Sequence, residues 1–150
     1  MTLNDVLNAV AARVGTLNLS LAGVAVPVVV RKIPTHQAGV DPGTRITVCK
    51  SPVAEAIKRI GGIYDLTTWR VRVVVESPNR DDQVKNLDVY SGWRDQLMTA
   101  FAQKPTDLMG LDNLQDLRAA PAEFLEAEKI AEGWDHQAVD VLVGIVRART

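Results

Sequence analysis

The sequence predicts an α+β fold, a mixed, mostly antiparallel sheet of about four strands packed against an N-terminal helix and one long helix. Three observations lead there. Helical periodicity fills residues 3 to 14 and returns after Asp81-Asp82; strand-like alternation fills residues 69 to 76 and 139 to 146; and several links between strands are shorter than a βαβ crossover requires. The chain has 150 residues, 47% hydrophobic and 23% charged, and shows no internal repeat or low-complexity segment. A single domain, 1–150, is expected, because a chain of this length buries roughly 68 to 70% of its unfolded surface without metals or disulfides.

Thr2 and Asp5 form a capping-box start, and Leu3, Val6, Leu7, Val10 and Val14 keep an apolar helical stripe until Gly15. The nearly apolar run from Leu19 to Val30 is well short of the ~20 residues a membrane helix needs and reads as a buried segment. Within it, Val26, Val28, Val29, Val30 and then Ile33 predict a first strand closing at Pro34, with Pro27 at an edge or near its start. Residues 34 to 43 hold Pro34, Gly39, Asp41, Pro42 and Gly43, a turn-rich connection. In Thr44 to Cys49 alternation puts Ile46 and Val48 on one face and Arg45, Thr47 and Cys49 on the other.

Ser51-Pro52 ahead of Val53, Ala56, Ile57 and Ile60, closed by Gly61-Gly62, predicts a short capped helix with Glu55 and Arg59 at pairing distance. The clearest strand follows. Trp69, Val71, Val73 and Val75 alternate with Arg70, Arg72, Val74 and Glu76, from an entry near Tyr64 to an end at Pro78. Acidic Asp81-Asp82 then starts the long helix, whose period runs through Val84, Leu87, Tyr90, Leu97, Met98 and Phe101 to Pro105; Gly92 weakens it by ~1 kcal/mol relative to Ala. A short strand near Leu117-Arg118 and a loop through Pro121 come next. From Trp134 onward Val139, Val141, Val143 and Ile145 alternate with Asp140, Leu142, Gly144 and Val146 in a closing strand.

Seventeen Lys and Arg against 18 Asp and Glu give a net charge of -1, so no global basic excess drives binding to nucleic acid or an anionic membrane. Residues Met1 to Asp5 lack a basic leader region, so export is not expected, and the Asn18-Leu19-Ser20 glycosylation pattern carries no weight. One cysteine excludes an intrachain disulfide and a CxxC metal site. Gly-rich phosphate loops, HExxH, GxSxG and EF-hand patterns are absent. Cys49 with His36 or His136 would make a thiol-imidazole nucleophile if the fold joined them, but a cysteine on a short strand reads more simply as a small buried side chain. Two histidines alone give no metal-ligand spacing, and Asp81-Asp82 suits a helix start better than paired acid and base chemistry. No catalytic, cofactor-binding or metal-binding residue is therefore assigned, and no cofactor is expected.

Arg70 and Arg72 project from one strand face without interleaved aromatics, which favours a solvated or subunit-facing surface over an RNA platform. Trp134, in the polar stretch from Glu132 to His136, either joins the core or anchors a partner. Together with Ile57, Ile60 and Tyr64 these three are the candidate subunit or partner contacts.

The order of features resembles the small neck and tail-terminator family of long-tailed bacteriophages, which join head to tail. The resemblance rests on the N-terminal helix; Val28-Val29-Val30-Arg31-Lys32-Ile33-Pro34; Ile46-Thr47-Val48; Trp69-Arg70-Val71-Arg72-Val73-Val74-Val75; the helix through Leu87-Asp88-Val89-Tyr90; and Gln137-Ala138-Val139-Asp140-Val141-Leu142-Val143. It implies a structural virion subunit, not an enzyme. Such a subunit forms a homo-oligomer, a hexameric ring, at the head-proximal end of the tail. There it stops tail growth, meets the tail-tube and head-tail connector proteins, and lets genomic DNA pass without sequence-specific binding. Val53 to Ile60 depart from that pattern, because the family continues there in extended structure or a projecting hairpin while this sequence favours a helical turn. A small enzyme using Cys49 and a host binding module are the competing classes.

Overall fold

The structure, a computed structural model, describes residues 2–21, 23–31, 44–51, 56–60, 62–77, 80–102, 114–121 and 135–148. Helix α1 (Leu3–Gly15) begins at the expected capping box: the Thr2 hydroxyl accepts from the Asp5 N–H, and the Thr2 N–H donates to the Asp5 carboxylate at 2.6 Å. That backbone bond, followed by one from the Thr2 hydroxyl, holds the Asp5 carboxyl below its ordinary value of 3.8. Val6, Leu7, Val10 and Val14 are buried along one stripe, as the spacing requires.

Asn18, in the left-handed region at φ 50°, turns the chain out of α1. The segment expected to be buried is instead a small antiparallel hairpin of β1 (Ser20–Leu21) and β2 (Val24–Ala25), turning at Gly23 with φ 81°. Two two-residue strands cannot enclose their own side chains. Leu19 reaches the main core, whereas Val24 is exposed.

The main sheet contains β3 (Val28–Val30), β4 (Arg45–Lys50), β5 (Ala56–Ile60), β6 (Tyr64–Ser77), β7 (Leu114–Pro121) and β8 (Asp135–Ala148). Its order is β3-β4-β6-β8-β7, with β5 also paired to β6. Every neighbouring pair is antiparallel except β3 and β4. The class is thus α+β with a mixed, mostly antiparallel sheet; among the described residues it holds six strands where about four are expected. The strand near Leu117-Arg118 is present and longer, and Pro121 closes it instead of lying in a loop. Helix α2 (Arg80–Ala100) starts one residue before Asp81-Asp82 and stops short of Pro105, which lies outside the described residues.

The helix expected over Val53 to Ile60 is corrected by β5. Ala56 to Ile60 pair with Thr68 to Tyr64, with Gly62 and Ile63 in the turn between them, making a hairpin with β6. An eight-residue helix is too short to stand alone in water, while β6 extends past the end of β4 and offers a free edge that β5 occupies. Ser51 still donates to the Arg70 carbonyl, and Ala56 resumes opposite Thr68 on that same edge.

One sheet face carries Ile46, Val48, Val71, Val73, Val75, Leu117, Val139, Val141, Val143 and Ile145, packed with the α1 stripe and with Tyr90, Trp93, Leu97 and Ala100 of α2 and the following Phe101. The opposite face buries Cys49, Val74 and Ala138 as a second cluster, together with Arg45, Thr47 and Asp140. The central strands are therefore buried on both sides. At a β-bulge between Leu114 and Asp116, Gly144 lies opposite Asp116, and a Cβ on it would come within 3.0 Å of the Asp116 Cβ. Glycine suits so close an approach of two strands.

Candidate functional site

Arg70 and Arg72 are two residues apart on β6, so they share a face, and the register places Asp140 of β8 directly opposite Arg72. The Asp140 carboxylate is completely buried. It accepts from Arg70 Nε at 2.6 Å on Oδ2, from Arg72 Nε at 2.9 Å on Oδ1, and from Arg72 Nη2 at 3.4 Å on Oδ2. The Arg70 side chain is 30% exposed and that of Arg72 15%. On the strand face that the sequence reads as solvated or subunit-facing, both guanidinium groups hold this buried carboxylate in an ionic clamp that ties the two central strands together. A carboxylate held in this way also competes with phosphate for the same N–H groups. The sequence shows Asp140 as one acid in an otherwise apolar alternation; its partners follow from a strand register that the sequence does not supply.

Cys49 is buried on the same face, and its Sγ lies 3.7 Å from the Arg72 carbonyl oxygen. His136 pairs with Glu76, four residues further along β6 and two strands across from Cys49. That is about 13 Å along the strand and about 10 Å across the sheet, too far for a thiol-imidazole pair. His36 lies outside the described residues. Among the described residues no group of three or more His, Cys, Asp and Glu is placed to hold a metal ion. Cys49→Ala is expected to cost about 1 to 2 kcal/mol from a small buried void and to leave assembly unchanged. Thermal melts with a mass measurement check this, and a folded variant that loses function would overturn it.

Three of the sequence candidates come together at the other end of β6. In the β5–β6 hairpin Ile57 is 68% exposed and Tyr64 46%, Ile60 is half-buried, and Ile63 in the turn, not singled out by the sequence, is 60% exposed. The 14 residues of β6 span about 46 Å. Neither the 13 residues of α1, about 20 Å, nor the 21 of α2, about 31 Å, matches that length. The hairpin and the end of β8, where Arg147 and Ala148 are exposed, stand clear of the helical layer. Lys58 and Arg59 lie mid-strand on β5, with no ion-pair partner among the described residues. Arg70 and Arg72 are not part of this surface, and Trp134 lies outside the described residues.

A second concave feature lies where α1 and α2 end. Arg13 donates to the Ala100 carbonyl at 3.5 Å, and beside it a groove of about 360 Å³ is lined by Arg13, Leu17, Asp95, Gln96, Thr99 and Ala100. The outward stripe of α2 there is acidic and polar. No protein-family model matches the chain, and comparison with curated proteins finds no match.

Proposed function

We propose that the chain is a structural subunit of a tailed-phage virion that forms a ring at the head-proximal end of the tail, ends tail growth and joins tail to head. The carrying observation is the β5–β6 hairpin, which presents Ile57, Ile63 and Tyr64 to solvent beyond the helical layer. Exposed apolar side chains clustered at a projecting strand edge mark a surface that a partner covers. The hairpin also replaces the helical turn that set residues 53 to 60 apart from the neck and tail-terminator pattern, and so adds to the resemblance. The virion neck is the proposed location, after assembly in the host cytoplasm. Among the described residues no helix is long and apolar enough to cross a membrane.

The ring reading makes tail-tube and connector subunits the partners, and six copies of a 16.3 kDa chain weigh about 98 kDa. Deleting the gene from a phage genome tests the reading. Uncapped, overlong or headless tails are the expected result; normal virions would overturn it.

DNA passing through such a ring is best left unheld. The clamp on Asp140 occupies both strand arginines, and the net charge is -1. Binding of the isolated subunit to duplex DNA is therefore expected to be no tighter than the roughly 10⁻⁴ to 10⁻⁶ M of non-specific contacts and to weaken steeply with salt. Fluorescence anisotropy across a salt series checks this; nanomolar affinity for a defined sequence would favour a host binding module.

A further inference from the structure

We draw no further inference here: the strongest candidate, the apolar surface patch at the end of the β5–β6 hairpin where Ile57, Ile63 and Tyr64 are exposed, carries none, because nothing in the structure shows what covers it.

Discussion

Asp140→Ala is expected to lower the melting temperature by about 6 to 12 °C. The substitution leaves Arg70 and Arg72 facing an apolar methyl group where a fully buried carboxylate had accepted three hydrogen bonds. Breaking a buried ion pair by removing one partner costs about 3 to 5 kcal/mol. Arg70 is 30% exposed and can turn its guanidinium toward water, which places the loss near the lower figure. At 2 to 4 °C per kcal/mol for a chain of this size, the expected shift follows. A triple replacement of Arg70, Arg72 and Asp140 by leucine should recover much of the loss, because an apolar filling of similar volume is often as stable as the ions it replaces. Differential scanning calorimetry of the single and triple variants decides the matter. An unchanged single variant would mean that solvent already supports the arginines.

Val73→Asp is expected to abolish folding. Val73 is completely buried and lies between Val48 of β4 and Val139 of β8, under the helical layer. A carboxylate there is surrounded by packed apolar side chains and displaces methyl groups, at a cost of several kcal/mol. Total stability is about 5 to 15 kcal/mol, so little remains. Tyr64→Asp, at the exposed end of the same strand, serves as the control and should stay folded. Size exclusion and far-ultraviolet dichroism give the readout; a soluble Val73→Asp protein with wild-type melting would mean that the faces of β6 are reversed.

Elements whose local pattern and final environment agree were legible in the sequence. The Thr2–Asp5 capping box, the Val6 to Val14 stripe, the alternation from Trp69 to Glu76 and that from Val139 to Val146 each survive in the fold. At β5 the local pattern and the tertiary environment disagree: Ala56, Ile57 and Ile60 have helical spacing, and the outcome is set by an open length of β6 that lies outside that segment. The Asp140 clamp was hidden for a related reason. Arg70 and Arg72 were visible as a pair on one face, but their acid lies some 70 residues away and meets them through the register of β8. Of the candidate contacts, Ile57, Ile60 and Tyr64 share one exposed end, whereas Arg70 and Arg72 are drawn into the sheet.

The pairing of β6 with β8 has a consequence during synthesis. Ser77 pairs with Asp135 and Tyr64 with Ala148, so about 60 to 80 residues separate the partners. At roughly 5 to 20 residues per second, a ribosome leaves one edge of the newly made β6 without its native neighbour for several seconds. Uninterrupted, a run such as Trp69 to Val75 would be the stretch of this chain best suited to intermolecular sheet formation. Arg70 and Arg72 break that run with charge and discourage aggregation until Asp140 emerges to receive them. The two arginines thus guard the nascent strand first and lock the finished sheet afterward.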